Sequence, residues 1–140
     1  MSGRTLLLVN LAAAWFLTGL SWFLQLVQLP LLANADPALW AAHRRRNTLL
    51  MAPPMMVELV AAAWLGLATP PEFSHRDMFH LFLLVIAIWL ITFLRHVPLH
   101  QRWIDSGNRD ILRSIRSWNW VRTLAWTARA VFLVLTARFC

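Results

Sequence analysis

Four long apolar stretches constrain this chain more than any other feature of its sequence. They cover residues 6–29, 47–68, 78–97 and 117–137, each close to the roughly 20 residues that a helix needs to cross a bilayer core. Because lipid offers a backbone no hydrogen bonds, such stretches fold as helices. We therefore predict an all-α integral membrane four-helix bundle that forms one domain over residues 1–140. Asp36 and Pro37 predict a short interfacial helix between spans 1 and 2.

Composition and charge agree with a membrane protein. Apolar residues make up 59% of the chain and charged residues only 14%. All 13 basic residues are arginines, and the net charge is +7, which is also typical of proteins that bind nucleic acid. These arginines sit mainly at the ends of the apolar stretches, as membrane topology requires, so we expect lipid as the partner and no nucleic acid. The single cysteine, Cys140, excludes an intrachain disulfide.

The distribution of arginines predicts the topology. Two loops, between spans 1 and 2 and between spans 3 and 4, carry eight arginines: Arg44, Arg45, Arg46, Arg95, Arg102, Arg109, Arg113 and Arg116. The termini and the 69–77 loop carry only Arg4, Arg76 and Arg138. The positive-inside rule then places the arginine-rich loops in the cytoplasm and both termini outside. The sequence Ala33-Asn34-Ala35 also resembles a signal-peptide cleavage site, but the apolar run before it is too long, so we favour a retained first span.

Prolines and turn residues predict where the helices end. Pro30 is expected to end the first helix, and Pro98 to bend or end the third. A loop should follow over residues 101–110, with Asp110 capping the last helix. The Pro53-Pro54 pair is expected to kink the second span.

The last span carries polar residues along one helical face. Asn119, Arg122, Trp126 and Arg129 lie at i, i+3, i+7 and i+10. At 1.5 Å per residue, Arg129 lies roughly 18 Å into its span and Glu58 roughly 16 Å into the second. Because a lone buried charge is costly, we predict a Glu58–Arg129 ion pair, which would serve either the site or only the register of the bundle.

Polar and aromatic residues of the other spans reach the same cytoplasmic half, which predicts a pocket for an apolar molecule with a polar head, such as a quinone, a phenol or a lipid. Its expected ligand-binding residues are Trp22, Gln25, Gln28, Trp89, Thr92, Asn119, Trp126 and Arg129. Glu58, His96 and Arg122 are the candidate catalytic residues, since they could move a proton to or from a ligand oxygen. Redox or oxygenation chemistry on such a molecule is therefore one prediction. A non-catalytic subunit of a larger membrane complex, or a homo-oligomer, is the alternative.

Three histidines are the candidate metal ligands. His43, His96 and His100 lie near the cytoplasmic ends of their helices and could hold haem or a non-haem metal. They lack the specific spacing of known metal motifs, and hydrogen-bonded or solvated histidines are the alternative. The cofactor is therefore left open.

Several short motifs carry a resemblance to a known family. They are Q-L-V-Q-L-P at 25–30, H-R-R-R-N-T at 43–48, P-P-M-M-V-E at 53–58, T-F-L-R-H-V-P-L-H-Q-R at 92–102 and W-N-W-V-R-T-L-A-W-T-A-R at 118–129. The chain resembles small bacterial four-helix membrane proteins similar to the anthrone-oxygenase-like family. The resemblance implies a bacterial inner-membrane location and a pocket lined by Asn119, Arg122 and residues 96–100. It also implies oxygenation of a phenolic substrate. That family often has asparagine where this chain has His100, which weighs against His100 as a metal ligand.

Overall fold

The computed structural model of the protein describes residues 2–138, and all regular elements in this range are helical, which confirms the all-α prediction. In chain order they are α1 (Gly3–Phe23), a π-helical turn (Leu24–Gln28), α2 (Leu29–Asn34), a 3₁₀ turn (Pro37–Leu39), α3 (Trp40–Ala68), α4 (His75–Ile91), a second π-helical turn (Thr92–His96), α5 (Val97–Ser106) and α6 (Arg109–Arg138). They join into four long segments: a first (Gly3–Asn34), a second (Pro37–Ala68), a third (His75–Ser106) and α6.

The first segment does not end at Pro30, so that prediction is wrong. The chain continues through Pro30 to the end of α2 at Asn34. A proline in an α-helix lacks the N–H for the i−4 bond, and its ring clashes with the carbonyl four residues back. The π-helical turn before Pro30 widens the helix, and the N–H of Leu29 bonds to the carbonyl of Leu24, five residues back. This wider turn accommodates the proline and keeps the segment continuous.

The third segment also has a π-helical turn before a proline, Pro98. The second π-helical turn precedes this proline, and the N–H of Val97 bonds to the carbonyl of Thr92. The helix then continues as α5 to Ser106, so the loop predicted over residues 101–110 is wrong for most of its length. The turn itself is confirmed, because Gly107 takes the left-handed conformation (φ 62°) that ends many helices.

Two predicted helix starts differ from the structure. The 3₁₀ turn that follows Asp36 runs directly into α3, so the structure contains no separate interfacial helix within residues 2–138. Asp36 is nevertheless the N-cap, since its carboxylate accepts a hydrogen bond from the N–H of Ala38 at 2.9 Å. At α6 the predicted cap Asp110 is itself capped, by the side-chain oxygen of Asn108 at 2.8 Å.

The four segments pack in a ring. The helix α1 contacts α3 and α6, and α4 contacts the same two helices, so the first and third segments lie diagonally opposite. Their buried residues form three apolar clusters along the bundle axis. The cluster farthest from the termini includes Trp40 and Trp103, whose rings stack with centroids 4.5 Å apart. This packing ties the start of α3 to the end of α5.

Three segments, Gly3–Asn34, Pro37–Ala68 and His75–Ser106, are long and apolar enough to cross a membrane. The fourth, α6, does not reach this level of hydropathy over its described residues. Arg122 and Arg129 lower the hydropathy of α6. Both arginines are buried between helices and so do not face outward. The outward face of the same stretch is apolar and exposes large side chains, namely Trp120, Val121, Leu124, Val131 and Leu135.

α3 and α4 approach each other closely at Gly66, which leads to a prediction. A Cβ added at Gly66 would lie 2.7 Å from the Cβ of Phe82 and 3.2 Å from the carbonyl oxygen of Met78. We expect Gly66→Ala to lower the free energy of unfolding by about 1–3 kcal/mol, because neither neighbour can move independently of the α4 backbone. Unfolding by SDS in mixed micelles would measure this.

The matched control is Gly19→Ala. Gly19 also lies inside a helix, but a Cβ there would meet nothing within 4 Å. We expect its stability to be unchanged or slightly raised, because alanine favours the helix. Equal losses at both glycines would mean that helix propensity, and not the α3–α4 contact, sets the effect.

Candidate functional site

A buried ion pair joins the second segment to α6. The guanidinium of Arg129 donates to a carboxylate oxygen of Glu58 at 2.5 Å, and both side chains are almost fully buried. The pairing predicted from their matched depth is therefore present. The second carboxylate oxygen of Glu58 accepts a hydrogen bond from the indole N–H of Trp126 at 3.1 Å.

The other two nitrogens of Arg129 are also paired. Its Nε donates to the carbonyl of Leu81 on α4 at 3.3 Å, and its second terminal nitrogen donates to the side-chain oxygen of Asn10 on α1 at 2.9 Å. All four segments thus contribute to one network around a single guanidinium. Because the groups satisfy one another, this network has the features of a structural tie.

A second polar chain lies one to two turns toward the N-terminus of α6. Arg122 donates to the side-chain oxygen of Asn119 at 2.8 Å, and the side-chain amides of Asn119 and Gln25 lie 2.8 Å apart. The guanidinium of Arg122 also lies over the ring of Trp126, 5.3 Å from its centroid. Gln25 thus orients Asn119, and Asn119 orients Arg122.

A cavity of about 390 Å³ lies beside Arg122. It forms where α3 and the third segment separate: these helices are in close contact at Gly66, but α3 has few contacts with the Thr92–His96 turn. Its apolar wall consists of Leu24, Leu29, Met51, Ala52, Met55, Met56, Phe93, Val97 and Ile115. The lining residues with polar side-chain groups are Arg44, Asn47, Thr48, Trp89, Thr92, His96, His100, Asn119 and Arg122.

Several polar atoms near this cavity lack a hydrogen-bond partner among the described residues. They include both ring nitrogens of His96, Nδ1 of His100, Nε1 of Trp89 and Nε of Arg122. Buried polar atoms are normally paired, so this cluster marks where a ligand or water would bind.

The structure brings some of the predicted site residues to this cavity and not others. Those that line it are Trp89, Thr92, His96, His100, Asn119 and Arg122. Those that do not are Trp22, Gln25, Gln28, His43, Glu58, Trp126 and Arg129. Trp22 instead donates to the hydroxyl of Thr127 at 3.0 Å and packs on Trp120, between α1 and α6. Glu58 and Arg129 lie in the separate ion-pair network.

The three candidate metal ligands do not gather. Within residues 2–138, no three His, Cys, Asp or Glu side chains come together as a metal site. His96 and His100 are one turn apart with ring centroids 6.2 Å apart, and His43 does not line their cavity. His43, His96 and His100, named from the sequence as candidate metal ligands, therefore do not come together as a three-ligand site among the described residues.

One side of the cavity is formed by α3 and was not predicted from the sequence. Arg44, Thr48, Met51 and Met55 line it at i, i+4, i+7 and i+11, the spacing of one helical face. The face could have been found by extending the helical pattern from Arg44 through the apolar run.

Comparisons with known proteins identify no relative. Neither a protein-family model, nor a curated protein, nor a solved structure matches the chain. Functional inference therefore depends on the chemistry of the cavity itself.

Proposed function

We propose that this protein is a four-span membrane protein that binds a hydrophobic small molecule with an oxygen-bearing head in the cavity beside Arg122. The observation that carries this proposal is the combination of a large apolar cavity with unpartnered N–H groups and ring nitrogens on residues of its wall. Ligand sites in proteins are typically mostly apolar with a few convergent polar groups.

The membrane placement rests on surface chemistry. Three segments are apolar enough to span, and the exposed apolar face of α6 would make it the fourth once its arginines face inward. We propose that the arginine-rich ends face the cytoplasm of a bacterial inner membrane and that both termini lie outside, in line with the positive-inside rule.

The cavity also opens sideways. Met56, Phe93 and Val97 line it and at the same time are among the exposed residues. A membrane-dissolved molecule would therefore enter between α3 and the third segment, with its apolar part in lipid and its head against His96 and Arg122. These residues would donate hydrogen bonds to a ligand oxygen, and His96 could transfer a proton.

Quinones and phenols are the ligand classes to test first. Both combine a flat apolar ring with an oxygen that accepts hydrogen bonds, and the aromatic wall of Trp89 and Phe93 suits them. The resemblance to the anthrone-oxygenase-like family also favours phenols. Any oxidation would need an electron acceptor, so an absorption spectrum of the purified protein, oxidised and reduced, is the direct test for a bound redox cofactor.

A blocked cavity provides the test of binding. Ala52 lines the cavity, so Ala52→Trp should fill it without changing any polar group. We expect decyl-benzoquinone or decylphenol to raise the melting temperature of the wild-type protein, since a ligand at about 100 times its Kd contributes roughly 2.7 kcal/mol. The stabilisation should be lost in Ala52→Trp.

The control is Ala12→Trp, at an exposed alanine of α1 outside the cavity. It should respond to the ligands like the wild type. If Ala52→Trp responds as fully as Ala12→Trp, the cavity is not the binding site. If neither ligand class stabilises the wild type, quinones and neutral phenols are not its ligands.

A further inference from the structure

Two buried arginines lie seven residues apart on α6, and their electrostatic partners differ. Arg129 has the carboxylate of Glu58 at 2.5 Å. Arg122 is only 6% exposed, yet no Asp or Glu in residues 2–138 forms a salt bridge with it. The same helix therefore carries one neutralised guanidinium and one that lacks a counter-ion.

The partners that Arg122 does have are all neutral. Its terminal nitrogen donates to Asn119 and approaches the sulfur of Met51 at 4.0 Å, and its guanidinium lies over Trp126. Its Nε has no partner. Amide, sulfur and ring contacts stabilise a cation only in part, whereas an unpaired buried charge is strongly unfavourable.

The cavity wall has the composition of an anion site. Its polar members include two arginines, Arg44 and Arg122, and two histidines, and no Asp or Glu lines it. A neutral carbonyl head would accept hydrogen bonds but leave the charge of Arg122 uncompensated. An anionic head would accept the hydrogen bonds and also compensate the charge.

We infer that the molecule bound in this cavity is an amphiphilic organic acid, and that its carboxylate or phenolate is the counter-ion of Arg122. This inference rests on the proposed function and specifies the head of its ligand. The acid takes the place at Arg122 that Glu58 takes at Arg129. The apolar tail of the acid leaves the cavity past Met56, Phe93 and Val97.

The test compares two probes with the same tail. Dodecanoate is an anion at alkaline pH, and dodecanamide is its neutral counterpart. We expect the wild-type protein to bind dodecanoate about tenfold or more tightly than dodecanamide, because hydrogen bonds to charged groups are substantially stronger than neutral ones. Native mass spectrometry of the purified protein would measure both bound fractions directly.

Two variants assign the preference to Arg122. Arg122→Gln keeps a side chain that can donate but removes the charge, so the preference for dodecanoate should disappear. Arg45→Gln removes the same charge from an exposed residue that does not line the cavity, and the preference should remain.

The outcomes separate this inference from the proposed function. Equal binding of both probes to the wild type overturns the anion inference and leaves the cavity as a site for neutral molecules. A preference that survives in Arg122→Gln also overturns it. If neither probe binds and the quinone and phenol also fail, both the inference and the proposed function are wrong.

Discussion

Loss of either partner of the Glu58–Arg129 pair is expected to lower the free energy of unfolding by about 3–5 kcal/mol, because each change leaves a buried group without its counter-charge. Glu58→Gln keeps an oxygen for the indole N–H of Trp126 but leaves Arg129 charged and unpaired. Arg129→Leu leaves the carboxylate of Glu58 buried with only that indole. Unfolding by SDS in mixed micelles would measure both variants.

The double variant distinguishes an interaction from two separate losses. Since each single change includes the cost of an orphaned charge, Glu58→Gln with Arg129→Leu should be less destabilising than the sum of the two, by about 1–3 kcal/mol. Additive losses would mean that the pair contributes no coupling and that the other contacts of Arg129 account for its effect.

The control pair is Arg76 and Asp77. Their side chains form an ion pair at 3.7 Å in which Arg76 is largely exposed. Arg76→Gln should change stability by less than about 1 kcal/mol, as for most exposed pairs. The contrast with Glu58→Gln would show that burial, and not the number of ion pairs, determines the loss.

A carboxylate placed beside Arg122 is expected to abolish binding of an anionic ligand without unfolding the protein. Met51 is suited to this because its sulfur lies 4.0 Å from a terminal nitrogen of Arg122 and it also lines the cavity. In Met51→Glu the new carboxylate would provide the missing counter-ion and occupy the place of the ligand head. We expect the affinity for dodecanoate to fall more than about tenfold, because Arg122 would already be paired with the new glutamate and could not pair with the ligand.

Met51→Glu should not be destabilising, unlike most substitutions of glutamate for a buried apolar residue. A glutamate introduced into an apolar core normally destabilises a protein strongly. Here we expect the free energy of unfolding to be unchanged or raised, because the new charge neutralises Arg122. Met51→Gln, with nearly the same shape and no charge, should keep the preference for dodecanoate and gain no stability.

Adding Arg122→Gln to Met51→Glu completes the test. Without the guanidinium the new glutamate would be an unpaired buried carboxylate, so the double variant should be less stable than Met51→Glu alone. Unimpaired dodecanoate binding by Met51→Glu, or a stability loss equal in the presence and absence of Arg122, would contradict the counter-ion role of Arg122.

Local rules predicted much of the helical framework. The spacing of Asn119, Arg122, Trp126 and Arg129 follows from the helical period, and all four are buried between helices. The fixed rise per residue also brought Glu58 level with Arg129, so their pairing was predictable. Both results depend only on helix geometry and on the high cost of a lone buried charge.

The prolines show where local rules were insufficient. Pro30 was expected to end its helix and Pro98 to bend or end its own, but each follows a π-helical turn that accommodates it. A proline removes one hydrogen bond wherever it stands, whereas the choice between ending a helix and widening it depends on the packing of the residues around it. The sequence therefore predicted where both helices are irregular, but not that each irregularity is a π-helical turn.

Four long helical segments, the inward face of α6 and the positions of its arginines along the helix follow from the amino-acid order, because periodicity and rise are properties of a single helix. The packing of the helices is what gives Arg129 a carboxylate and Arg122 a cavity, since both arginines sit on the same face of the same helix. The partner of a buried side chain depends on which neighbouring helix comes close at that level. Here α3 brings Glu58 to Arg129 and, two turns earlier, separates from the third segment beside Arg122.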